Sequence, residues 1–276
     1  MKSWTWIILL LLVVMGASSQ FINEEPIYND EYHSLRHTGL FETRYTISQS
    51  LNSVARTSPE HAPLYFLILN GWVSLVGLHP VTAAMLTLLF MMLAMSMVYR
   101  LGTTLVNAEV GVYATFFLSA SAFVVFYAQE IRMYVPLIFV VAGLLYHYWT
   151  IINTKRVVRW WQWVGLYGFS VVSIYMHYFT IFVLLSIGLY HLLFASKTRI
   201  WLQIAVAEVL AGVTFLPWLP TVFAGLGEAQ SENISRSIVQ SFPELLFNVI
   251  FSQSNGLVPA VVVLSDQDRM RDVALN

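Results

Sequence analysis

The chain has 276 residues, 58% hydrophobic and 11% charged, with a formal net charge of −1. A soluble domain carries about a quarter charged residues, so a wholly water-exposed fold is excluded, and the balance gives no basic footprint for nucleic acid. There is no cysteine, which removes disulfides, thiolate catalysis and cysteine-ligated metal.

Four runs carry no Asp, Glu, Lys or Arg: residues 61–99, 110–129, 133–154 and 160–196. A bilayer-spanning helix needs about 20 mainly apolar residues, and backbone groups in lipid must pair within their own segment. The chain therefore reads as all-α, a polytopic transmembrane helical bundle of about seven to eight spans. A long first external loop carries interfacial helices.

Lys2 precedes an apolar run at residues 4–17. That run is either an N-terminal transmembrane helix or, closed by Gly16, Ala17, Ser18 and Ser19, a signal peptide. Either way the following residues are external. Residues 61–78 contain His61, Pro63, Asn70, Gly71 and Ser74. This stretch is more amphipathic than its neighbours and reads as a helix lying in, or dipping into, the outer interface. A competing reading makes it a span and puts Lys2 outside.

Spans follow at residues 81–99, 110–126, 135–152, 160–176, 179–195 and 200–219. Lys155, Arg156 and Arg159 form one basic cluster, Lys197 and Arg199 a second, and both are cytoplasmic by the positive-inside rule. His177 and Tyr178 then form an external turn. Counting back, residues 127–134 are external, and residues 101–109, beside Arg100, are cytoplasmic. Leu216-Pro217-Trp218-Leu219-Pro220 closes the 200–219 span, because prolines end or kink helices. Residues 245–264 form a weak last span before a charged tail. The organisation is thus residues 1–19 as membrane helix or signal peptide, 20–79 as external loop, 80–221 as helical bundle, and 222–276 as loop, weak span and polar tail.

The chemistry-bearing residues sit at the external ends of these runs. Asp30 and Glu31 form an acidic pair soon after the first segment, and a carboxylate there can take a proton from a hydroxyl or bind a divalent cation. Asp30, His33 and His37 share one helical face, which also fits an ordinary solvated helix. His61-Ala62-Pro63-Leu64-Tyr65 opens the interfacial helix, with Pro63 suited to a first turn. In Tyr127-Ala128-Gln129-Glu130-Ile131-Arg132-Met133-Tyr134, Glu130 and Arg132 are opposite charges between charge-free spans. They either hydrate independently at the interface, or Arg132 acts as a planar fork for phosphate oxygens with Glu130 as partner or metal ligand. Glu208 lies mid-span, where an ionisable group normally faces a cavity or a partner.

These segments, in this order, resemble glycosyltransferase family 39, whose relatives include protein O-mannosyltransferases and bacterial lipid A aminoarabinose transferases. The resemblance covers residues 22–220. It implies the C-type glycosyltransferase fold and a sugar donor on a polyprenyl phosphate. It implies a hydroxyl acceptor (lipid, glycan or protein) on the non-cytoplasmic face of a bacterial plasma membrane, with inverting displacement. By position it makes Asp30 the catalytic base and Glu31 its neighbour and substitute. Arg132 becomes a phosphate ligand, with His61, Tyr65, Tyr134 and Tyr178 also binding substrate. Glu130 and His177 become candidate ligands for Mg²⁺ or Mn²⁺. The implied partners are the lipid-linked sugar, the acceptor and membrane lipids. Ala62 departs from the family's usual proline. Relatives also continue through further spans, so the chain reads as C-terminally truncated. Two alternatives stay open: a non-catalytic truncated member, and a lipid transporter or flippase, which only Glu208 fits.

Overall fold

The computed structural model describes residues 29–39 and 43–231, with the isolated helical positions Thr5, Val13 and Gly16. Apart from those three positions, the expected first helix lies outside the described residues, as do the weak span at residues 245–264 and the tail.

Every regular element among the described residues is helical. In chain order these are α1 (Asn29–Arg36), α2 (Ile47–Thr57), α3 (Leu64–Val76), α4 (Pro80–Leu105), α5 (Ala108–Ala120), α6 (Ala122–Tyr127), α7 (Tyr134–Ile152), α8 (Trp160–Met176), α9 (Thr180–Leu193), α10 (Arg199–Thr214) and α11 (Leu219–Ser231). A 3₁₀ turn at Leu216–Trp218 precedes α11.

Local chemistry sets the boundaries. Thr46 and Gln49 form a reciprocal capping box at the start of α2, which satisfies two orphan donors. His79 Nδ1 accepts from Val81 N and Pro80 occupies the first turn of α4, where its missing N–H costs nothing. Asn107 caps α5 through Val110 N at 2.9 Å, and Thr198 caps α10 through Trp201 N at 3.2 Å.

Three helices are long and apolar enough to cross a membrane: Val81–Leu105, Tyr134–Ile152 and Arg199–Gly225. Shorter apolar helices stand at Leu64–Val76, Ala108–Ala120 and Thr180–Leu193. The outward faces of α9 and α10 carry Phe182, Leu185, Leu189, Val206, Val209 and Leu210, all exposed. Such a surface is costly in water and natural in hydrocarbon. The protein is therefore an integral membrane protein.

Two expected boundaries shift. Residues 101–109 are not a loop, because α4 runs on to Leu105 and Asn107 starts the next cap. The run at 110–126 is not one helix. It breaks at Ser121, whose ψ of 119° is extended. Helices α3 and α5 have 13 residues each, about 20 Å of rise, shorter than a hydrocarbon core of about 30 Å.

Helix α4 packs on α5 and α7, α7 packs on α8, and α8 packs on α10. The α4–α5 contact is close because a Cβ on Gly102 would fall 2.9 Å from the Gly111 Cα; small residues let membrane helices approach this way. At one end of the bundle, a cluster of Leu35, Val54, Tyr65, Phe66, Leu69, Ile131, Met133, Met176 and Trp218 joins α1, α2 and α3 to the α7 and α8 ends. That cluster is the floor of the site. Glu208 on α10 accepts from Ser170 Oγ on α8 at 2.9 Å, so the mid-span carboxyl ties two helices together.

Candidate functional site

Adjacent residues of a helix point about 100° apart, and α1 uses this to separate its two carboxylates. The Asp30 side chain is 66% exposed. Glu31 is buried, and its Oε1 accepts from Ile131 N at 2.9 Å. That N–H sits in the tight turn between α6 and α7, outside any helix ladder, and a buried donor must be paired. Glu31 therefore pins the turn that carries Arg132, while Asp30 faces open space.

Arg132 is buried, its side chain only 8% exposed. Its Nη1 donates to the Asp30 carbonyl at 3.2 Å, and its Nη2 lies 3.2 Å from Asp30 Oδ2. The guanidinium carbon sits 5.8 Å from the Tyr134 ring centroid, a cation–π distance. Buried Nε has no hydrogen-bond partner among the described residues. A buried unsatisfied donor on a charged group is costly, and an anion arriving beside it would relieve that cost.

Asp30 and Arg132 line a cavity of about 170 Å³ with His33, His37, Thr57, Ser58, Glu60, His61 and Phe66. His61 Nδ1 lies 3.4 Å from Glu60 Oε1. Burial lowers the His61 pKa, opposed by the Glu60 carboxylate and reinforced by the Arg132 charge. His177 follows α8, and its Nδ1 accepts from Phe179 N at 3.2 Å, so the neutral ring carries its proton on Nε2. Burial lowers the His177 pKa too, with His61 and Arg132 adding to the effect. The His177 ring is 6.2 Å from that of Tyr134.

The remaining sequence candidates take supporting positions. Tyr65 is fully buried, with Thr87 beside its hydroxyl. Thr87 Oγ1 donates to the Glu130 carbonyl at 2.9 Å, and Glu130 is itself buried. Tyr178 gives its hydroxyl to backbone, 2.8 Å from the His61 carbonyl and 3.2 Å from that of Pro59. Among the described residues no group of three or more His, Asp or Glu side chains is placed to hold a metal ion. A divalent ion here would need phosphate oxygens among its ligands.

His37 shares a helical face with Asp30 and His33, but its ring is committed to structure. Nδ1 lies 3.0 Å from Ser53 Oγ and Nε2 lies 3.2 Å from Ser58 Oγ, so it staples α1 to α2 and to the 58–61 loop. Burial lowers its pKa to about 4. The fold keeps the ring neutral, whereas the unfolded chain takes a proton near pH 6.5. Stability is therefore complete above that value and is lost as pH falls from about 6.5 toward 4. In detergent, the Tm of the wild type should drop more between pH 7.5 and 4.5 than that of His37→Gln. Equal drops in the two proteins would refute this.

The family model for dolichyl-phosphate-mannose-protein mannosyltransferases matches residues 60–223, more than half of the chain. The protein belongs to this family. No curated protein matches the chain. The mannosyltransferase-family match takes in Glu60, His61, Arg132, Tyr134, His177 and Tyr178, together with the closing proline-rich turn. It begins downstream of α1, so Asp30 and Glu31 enter the site through geometry: the ion pair with Arg132 and the bond to Ile131. The family is one of membrane glycosyltransferases.

Sequence reasoning missed Trp218 as a member of the site's frame. Its Nε1 donates to Tyr178 Oη at 2.8 Å. The one available signal was its place between two prolines, which hold it in a fixed turn.

Proposed function

We propose that the protein moves a sugar from a polyprenyl-phosphate donor to a hydroxyl acceptor by one inverting displacement, on the non-cytoplasmic face. The observation that carries this is the pairing at one cavity of a buried guanidinium, with a free Nε, and an exposed carboxylate. The first suits a phosphate and the second a proton.

In the reaction, the acceptor oxygen forms a bond to the anomeric carbon while the bond from that carbon to the phosphate oxygen breaks. The acceptor's proton passes to the Asp30 carboxylate. The electron pair leaves with the lipid phosphate, and Arg132, already in place, stabilises the added charge. The leaving group is an anion, so no strong general acid is needed. His61 and His177, held neutral at pH 7 by burial, contribute hydrogen bonds rather than charge. The orientation is supported by the basic clusters: Lys155–Arg159 and Lys197–Arg199 lie at the far ends of the helices whose near ends form the site. Mannose is the first sugar to test, because the family is named for it.

The test uses purified protein in proteoliposomes with radiolabelled polyprenyl-phosphate mannose and a panel of peptide, glycan and lipid hydroxyl acceptors. We expect label on one acceptor class, with inverted anomeric configuration. Label that stays on the lipid across donors and acceptors, or a retained configuration, would overturn the reading.

A further inference from the structure

We propose that Trp218 and Tyr178 form a latch that positions the cavity wall carrying Glu60 and His61; for its kinetic arm this rests on the transfer reaction proposed above. The wall is the short segment between α2 and α3. It is held locally by Ser58 N donating to the Val54 carbonyl at 3.0 Å and by His61 N donating to the Ser58 carbonyl at 3.0 Å. Beyond that it has no ladder of its own, and its remaining carbonyls need outside partners.

Tyr178 supplies one. Its hydroxyl lies 2.8 Å from the His61 carbonyl and 3.2 Å from the Pro59 carbonyl. A phenol has a single proton, and its direction is set by what occupies the oxygen. Trp218 Nε1 donates to that oxygen at 2.8 Å, so the phenol proton is left to point at the loop. Indole, phenol and peptide carbonyl make a directed chain, and polarisation along such a chain strengthens each link. Burial raises the Tyr178 pKa, with the Trp218 bond opposing, so the phenol keeps the proton it must donate.

The proline-rich turn explains why Trp218 is available. Pro217 is the second residue of the 3₁₀ turn at Leu216–Trp218, and its ring fixes φ there. Trp218 is 9% exposed and is seated in the cluster under the site. A third contact comes from α11. A Cβ on Gly225 would fall 2.8 Å from the Pro59 carbonyl carbon and 2.9 Å from Glu60 N. Only glycine lets this helix lie directly on the loop backbone.

The latched segment is a partition. On one side Glu60 and His61 line the polar cavity with Asp30 and Arg132. On the other, Pro63 lines an apolar cavity of about 560 Å³ with Leu64, Leu67, Tyr175 and Trp218. Tyr178 and Trp218 act on the reaction through the segment and touch no reacting atom, so they are positioning residues. A misplacement of about 1 Å at a reacting site can cost about 100-fold in rate.

The kinetic test compares Tyr178→Phe, Trp218→Phe and the double variant. Tyr178→Phe removes only the hydroxyl, whereas Trp218→Phe removes the indole N–H together with part of a buried ring, so Tyr178→Phe is the cleaner variant. We expect kcat to fall about 10- to 100-fold, with donor KM within about twofold of wild type. The double variant should be no slower than Tyr178→Phe alone, because both changes open one chain. Independent, multiplying effects, or a rise in KM with kcat unchanged, would overturn the latch.

A second arm needs no turnover. The chain has no cysteine, so Glu60→Cys gives a unique label site on a side chain that is 54% exposed. Thiol labelling in proteoliposomes should speed up when Tyr178→Phe or Trp218→Phe is added, and an unchanged rate refutes the latch. If labelling accelerates while wild-type protein transfers no sugar, the latch stands and the transfer reaction falls.

Discussion

Arg132→Lys is expected to lower kcat/KM for the lipid-linked donor by about 10²–10³-fold, the usual cost of removing one preorganised charge-stabilising donor. Charge alone is not what the site requires. The guanidinium meets the Asp30 carbonyl with one nitrogen and the Asp30 carboxylate with another, and keeps Nε unpaired. A rigid planar fork fixes the directions of its N–H groups, toward Asp30 at rest and toward an incoming phosphate, whereas an ammonium on a flexible stem cannot. Lysine also loses the stacking on Tyr134. The loss should appear in rate rather than in folding. The Asp30 end of the pair is mostly in water, 66% exposed, and lysine keeps the positive charge beside it. The check is initial rates over a donor series, with thermal unfolding of the same preparation. Rates within threefold of wild type would show that no planar fork is used.

The convergence of distant residues was legible because the charges sit at the ends of long apolar runs. The structure brings Asp30, His61 and Arg132 from those ends to one cavity. A helix within residues 61–78 was legible from Pro63, which stands at its start. The division of labour within the acidic pair was not. Asp30 and Glu31 are equivalent by sequence, and which one faces the bundle depends on where Ile131 N presents itself, 100 residues away. The break at Ser121 was also hidden. Residues 110–126 contain no proline, and the only glycine lies near the start, at Gly111. The link from Trp218 to Tyr178 joins residues 40 apart. Aromatic residues at a membrane boundary are common enough that neither announced a partner.

Asp30→Asn should cut transfer by about 10²–10⁴-fold, the range for loss of a general base. Asparagine keeps an oxygen that can accept from Arg132 and keeps the side-chain volume, so the cavity survives and only proton uptake is lost. Glu31→Gln is the matched control. Its amide oxygen can still accept from Ile131 N, so transfer should stay within about tenfold of wild type if Glu31 only pins the turn. A penalty for Glu31→Gln as large as that for Asp30→Asn would mean that the buried carboxylate takes the proton and that the assignment of roles is reversed. The two kinetic constants carry further information. In the resting site the Asp30 carboxylate occupies one face of the Arg132 fork, so an incoming phosphate competes with it for the guanidinium. Donor binding would then release Asp30 toward the acceptor, which favours donor before acceptor. The neutral amide in the Asp30→Asn variant competes less and does not repel the phosphate. Donor KM should therefore hold or fall while kcat drops, a pattern that marks relief of a ground-state interaction together with loss of a transition-state one. A donor KM that rises with the drop in kcat would remove the competition, because Asp30 would then be helping to bind the phosphate rather than standing in its place.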